Sequence, residues 1–151
     1  MFIALIMGIV AGLRAITPLA AVSWAARLGI LNLNGTWLAF LGYRWTPLVF
    51  SILALGEIFN DKLPQTPSRK VPVQFATRVI AGTFAGLAIG TPFGSGLSWA
   101  LSGAVGAVIG TLAGVATRSK LVKLIGGRDL PIALLEDCIA VGCAVLVVSV
   151  I

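Results

Sequence analysis

The chain has 151 residues, of which 58% are hydrophobic and 11% charged, and its mean hydropathy is +1.04. A soluble domain carries about 25% charged residues, so this composition excludes a soluble fold and describes an integral membrane protein. The net charge of +6 would suggest nucleic acid in a soluble protein. Here the basic residues gather in two loops, where they mark membrane orientation, and no nucleic-acid partner is expected. The absence of histidine excludes His-based triads, His-ligated zinc and an axial histidine to haem.

Residues 2–27 are apolar or small apart from Arg14, Thr17, Pro18, Ser23 and the closing Arg27. At about 1.5 Å per residue the stretch is long enough to span, with Arg14 near mid-depth. Pro18 lacks the amide that would bond the Arg14 carbonyl, so the first segment is predicted to break between Arg14 and Pro18. A re-entrant pair of half-helices is the alternative to one broken crossing. No basic region precedes the apolar run, so a cleaved signal peptide is not expected.

Residues 28–46, with Asn32, Asn34, Gly35, Trp37, Tyr43, Arg44 and Trp45, read as a loop at the membrane interface anchored by aromatic rings. Pro47 opens an apolar run to Phe59, predicting a second helix over 46–60. Residues 60–77 are the most polar of the chain and contain three prolines, so a loop is expected there.

A glycine-rich helical hairpin is predicted over 78–118. Small residues recur every fourth position, first as Gly82, Gly86, Gly90 and Gly94, then as Ser98, Ser102, Gly106, Gly110 and Gly114, with Arg78 and Arg118 closing the runs. Positions four apart share one side of a helix, so each run is a groove where another helix approaches to backbone contact. Residues 91–96 supply the turn, and both arginines return to the same end. The faces of Gly82, Gly86, Gly106, Gly110 and Gly114 could also receive a second copy of the chain. Asp129 before Leu130 and Pro131 reads as an N-cap, starting a last helix over 130–150. Cys138 and Cys143 lie on different faces of it and match no metal or redox motif.

The expected fold is therefore all-α, a polytopic helical membrane bundle forming one domain over 1–151, with about five transmembrane segments at 2–27, 46–60, 77–91, 96–117 and 130–150. This places both basic loops, with Lys62, Arg69, Lys70 and Arg78 in one and Arg118, Lys120, Lys123 and Arg128 in the other, on one side. The positive-inside rule makes that side cytoplasmic in a bacterial inner membrane, with the N-terminus inside and the C-terminus outside. The lipid bilayer is the expected partner. There is also a weak internal similarity, since Gly8, Gly12 and Arg14 echo Gly110, Gly114 and Arg118, with Glu57 and Glu136 following in each half.

The acids are the candidates for chemistry, the alternative being an internal ion-pair network that fixes helix register with no ligand. Glu57 and Asp61 are four apart and share a helix face, whereas Glu136 and Asp137 lie about 9 Å inside the last helix. An acid inside a membrane helix costs about 2.5 to 3.5 kcal/mol on insertion scales and so turns inward to a partner. Glu57, Glu136 and Asp137 outnumber the embedded Arg14 by two. Recruitment of Arg78 and Arg118, protonation, or a bound cation would balance them. The candidate substrate or ion-binding residues are Arg14, Thr17, Glu57, Asp61, Arg78, Arg118, Glu136 and Asp137; no catalytic residue and no cofactor is assigned.

Gly12-Leu-Arg14-Ala-Ile-Thr17-Pro18-Leu, Asp61-Lys62-Leu-Pro64 with Pro67-Ser-Arg69, and Leu135-Glu136-Asp137 resemble the corresponding segments of a family of small bacterial integral membrane proteins, domain-of-unknown-function family 4126. The resemblance covers most of the chain and implies a multi-pass helical membrane protein, without an activity, substrate or catalytic residue. From the residues, transport of a small ion, anionic solute or lipid headgroup through a charged cavity open to the cytoplasm is the first expectation. A membrane-embedded Mg-dependent enzyme acting on a phosphate-bearing lipid, with carboxylates holding the metal, and a non-catalytic membrane scaffold are the alternatives.

Overall fold

The computed structural model describes residues 1–60, 71–127 and 129–151. Among these every regular element is helical: α1 (Phe2–Leu13), α2 (Ile16–Arg27), α3 (Thr46–Asn60), α4 (Pro72–Gly90), α5 (Gly96–Leu124) and α6 (Asp129–Val150), with short 3₁₀ turns at Trp37–Gly42 and Thr91–Phe93. Three stretches, Pro72–Phe93, Gly96–Leu124 and Asp129–Val150, are long and apolar enough to cross a membrane. The chain is a helical membrane bundle.

The centre of the bundle is α1, α4 and α5, and glycine sets how closely they pack. Gly8 and Gly103 meet backbone to backbone, and a Cβ on either would collide with a neighbouring carbonyl. Along α5 the contacts sort into two lines. Trp99, Gly103 and Ala107 face Gly90, Gly86 and Gly82 of α4, while Gly106 and Gly110 face Leu5, Gly8 and Ile9 of α1. The hairpin is therefore present, with its turn at Thr91–Phe93 closed by Gly94 at φ +67°, a conformation that favours glycine. The line that meets α4 is, however, one position off the expected Ser98, Ser102, Gly106 series. The reason is that α5 packs against two helices at once, so its small residues divide between them. Gly82, Gly86, Gly106 and Gly110, expected as a face for a second copy, are buried within the chain by this packing. Gly114 lies on the wall of a cavity.

The same contacts fix direction. Leu5 lies against Gly106, Ile9 against Gly110 and Gly12 against Thr111, so α1 runs parallel to α5, while Gly82 to Gly90 pair with Ala107 back to Trp99 and make α4 antiparallel. α2 then runs back from the break: the first residues of α2 meet Glu57 of α3, and Trp24 farther along bonds Ser51. α2 and α3 are antiparallel, and Val22 and Ala25 join Met7, Ala88 and Ile89 in one core cluster. The first segment is thus two half-helices that double back, with their apex at Arg14 and Ala15 on the side of α4's first turns. The start of α1 consequently lies at the end of the bundle opposite Arg78 and Arg118, which corrects the expectation of an N-terminus on the same side as the basic loops. The register that fixes this direction is the glycine seam, where Gly8 meets Gly103, Ile9 meets Gly110 and Gly12 meets Thr111.

Two boundaries also move. α4 begins at Pro72 rather than 77, because proline in the first turn gives up an amide that has no intrahelical partner there. α5 continues to Leu124 rather than 117, so its last turns carry Lys120 and Lys123 beyond the apolar core.

Candidate functional site

A helix that stops inside a membrane leaves carbonyls at its C-terminus and amides at the next N-terminus without intrahelical partners. In hydrocarbon no water is present to satisfy them. Arg14 is the residue of the break, extended at φ −142° and ψ 111° as it ends α1. Pro18 falls in the first turn of α2, where its missing amide costs nothing, so the interruption sits at Arg14 and Ala15, upstream of the proline.

Side chains from other helices close both exposed ends. At the end of α1, Arg78 Nη1 donates to the Gly12 carbonyl at 3.0 Å and the Leu13 carbonyl at 2.6 Å. The Thr111 hydroxyl adds a longer bond to Gly12 O at 3.4 Å. At the start of α2, the Ala15 and Ile16 amides donate to Glu57 Oε1 and Oε2 at 2.7 and 2.9 Å. A carboxylate at this position also meets the positive end of the helix dipole. Arg78 Nη2 lies 3.7 Å from Glu57 Oε1, so the two capping groups form an ion pair with each other.

Arg14 points elsewhere. Its Nε donates to Asp137 Oδ1 at 2.7 Å, and Nη2 makes an ion pair with the same oxygen. Arg14 and Arg78 are 0% and 1% exposed, and charges this deep require partners. A second cluster lies nearer the basic end. There Arg118 Nε and Nη2 donate to Asp129 Oδ1 and Oδ2 at 2.9 and 2.6 Å, and Nη1 donates to Glu136 Oε2 at 3.4 Å. Asp129, expected to cap the last helix, uses both oxygens on Arg118.

The expected residues therefore divide. Arg14, Glu57, Arg78 and Asp137 meet at the apex, where Thr17 is buried in the first turn of α2 with a hydroxyl that finds no hydrogen-bond partner among the described residues. Arg118 and Glu136 form the other group, and Asp61 lies outside the described residues. Adjacent Glu136 and Asp137 face different clusters, so α6 connects them. Each of Glu57, Glu136 and Asp137 has an arginine partner. Of the three ways to balance the surplus of acids, recruitment of Arg78 and Arg118 is the one observed. Among the described residues no three of His, Cys, Asp and Glu come together as a metal site would need.

The main-chain groups of Gly12, Leu13, Ala15 and Ile16 were not among the expected site residues. The break at Arg14 was the available signal, since any interrupted helix exposes such groups.

Between α1, α5 and α6 lies a cavity of about 220 Å³ whose wall includes Ile9, Leu13, Ile109, Gly110, Leu135 and Ile139. Of the expected charged residues it takes in Arg118 and Glu136. Its wall is otherwise mostly apolar, which differs from the charged cavity expected.

Comparison with curated proteins and with solved structures returned no match. Residues 1–150 match the family described as domain of unknown function (DUF4126), and with the whole length of the helical bundle inside that match the chain belongs to this family.

Proposed function

We propose that the protein is a carrier for a small anionic solute, with the apex of the half-helix pair as its binding element. The observation that carries this reading is the carboxylate of Glu57 seated on the amides of Ala15 and Ile16, beside the buried Arg78. Two converging amides and a guanidinium are what an anion requires, and here the chain's own carboxylate occupies the place. A substrate anion would enter by displacing it. Thr17, one residue past Ile16, offers a buried hydroxyl as a further donor. A continuous helix would satisfy its own backbone without three arginine–carboxylate pairs. Retaining an interruption that must be compensated from α3, α4 and α6 suits a broken-helix transport site.

With the positive-inside rule applied to the basic end, Arg118, Lys120 and Lys123 face the cytoplasm of an inner membrane. Both the start of α1 and the end of α6 face away from it.

The experiment is anion flux into proteoliposomes, with chloride and acetate as probes. Wild-type protein is expected to carry one of them. E57Q is expected to speed it several-fold, because a neutral amide holds the two backbone donors less firmly. No flux in wild type and in E57Q, with both folded, overturns the proposal. A non-catalytic scaffold is the second reading, favoured by the pairing of every expected embedded carboxylate with an arginine, and it predicts that flux-free result.

A further inference from the structure

The cavity between α1, α5 and α6 takes in none of Ala15, Ile16 and Arg78, the residues that meet Glu57 at the apex. It follows α5 from Ile109 to Leu121, a length of about 18 Å at the helical rise. α5 presents Gly110, Ala113 and Gly114 here, which are too small to reach α6. The space between the two helices is left unfilled by side chains.

Two properties of this cleft select its occupant. Ile109, Leu135 and Ile139 on its walls are 47%, 51% and 49% exposed, so the cleft opens sideways at a depth where the surroundings are lipid. Its charge is confined to one end. Arg118 and Glu136 close it there, and Lys120, an exposed residue seven positions on from the lining residue Ala113, follows the same line of α5 at the mouth. Lys123 adds a further cation in the last turn of α5. The wall is thus apolar along its length and cationic at the end nearest the membrane surface.

We infer that the α5–α6 cleft is a phospholipid site, with an acyl chain between Leu135 and Ala113 and the lipid phosphate at the mouth beside Lys120 and Arg118. An acyl chain is held by van der Waals packing against the apolar wall, since within the bilayer no water is displaced, and basic residues at the cytoplasmic end of a transmembrane cleft attract phosphate headgroups. Arg118 keeps its bonds to Asp129 and Glu136, so Lys120 is the movable cation that sets headgroup preference. The site is separate from the anion site at the apex and does not depend on it.

The test is native mass spectrometry of the detergent-solubilised protein titrated with dioleoyl phosphatidylglycerol, dioleoylglycerol and inorganic phosphate. One phosphatidylglycerol is expected to be retained by the wild type. A113L, which places a larger side chain in the cleft at an exposed position, is expected to weaken retention at least tenfold, and G114L serves as a second block of the same path. K120E is expected to weaken phosphatidylglycerol several-fold and to leave dioleoylglycerol unchanged. Retention by folded A113L and G114L equal to wild type would overturn the site. So would inorganic phosphate displacing the lipid at equal concentration, since that would make it a headgroup site without a chain.

Discussion

Arg14 Nε donates to Asp137 Oδ1 at 2.7 Å and so ties the apex of the half-helix pair to the interior of α6. Arg14 is fully buried and Asp137 nearly so, at 0% and 7% exposure, and removing one partner of such a pair leaves a charge where solvent cannot reach it. D137A is expected to lower stability by about 3–5 kcal/mol, read from thermal unfolding of the detergent-solubilised protein. Replacing both partners with apolar residues, R14M with D137L, is expected to recover most of that loss, because desolvating a buried pair offsets much of its attraction. A double variant that melts near wild type and has lost anion flux would assign the pair to function. One that retains full flux would assign it to architecture.

Arg78 is expected to resist even a conservative change. Its guanidinium spans the Gly12 and Leu13 carbonyls and the Glu57 carboxylate, and a lysine ammonium is a single point that lacks this fork. R78K should cost about 1–3 kcal/mol, the penalty for one carbonyl left unsatisfied in an apolar setting. The same unfolding assay measures it, with R78A expected to be less stable still.

The glycines should fall into two classes under substitution by alanine. At Gly8, Gly103 and Gly106 an added Cβ would collide with backbone of a facing helix, whereas at Gly56 and Gly142 nothing lies within 4 Å. G8A, G103A and G106A are expected to lose at least about 1–3 kcal/mol by overpacking. G56A and G142A, in α3 and α6, are expected to gain up to about 1 kcal/mol from helix propensity. Yield of folded protein by size-exclusion chromatography and its melting temperature separate the classes.

The doubling back of the first segment makes a prediction about sidedness. In a background with Cys138 and Cys143 replaced by serine, a cysteine placed in a short extension before Met1, N34C and S95C should all react with an impermeant maleimide from one side of the membrane. K120C should react from the other. Labelling of the N-terminal cysteine together with K120C would show that α1 crosses in the opposite sense.

What the sequence by itself determined is local. Hydropathy required a membrane bundle, the four-residue spacing of Gly82 to Gly90 and of Gly106 to Gly114 required close helix packing, and Arg14 with Pro18 required an interrupted first helix. Each follows from neighbours along the chain, and an acid or arginine at membrane depth announces by itself that it needs a partner. Which partner it takes is decided by tertiary structure. Glu57 could have paired with any embedded arginine, and its seat on the Ala15 and Ile16 amides depends on α2 running back along α3. The direction of α1 depends on Gly8 and Gly12 meeting Gly103 to Thr111 in register, a choice that helical periodicity leaves open because a smooth face is equally smooth read either way. The division of Glu136 and Asp137 between two clusters likewise follows from where α1 and α5 lie against α6. Charge pairing and helix direction are long-range relationships, and only the folded chain brings the residues that decide them together.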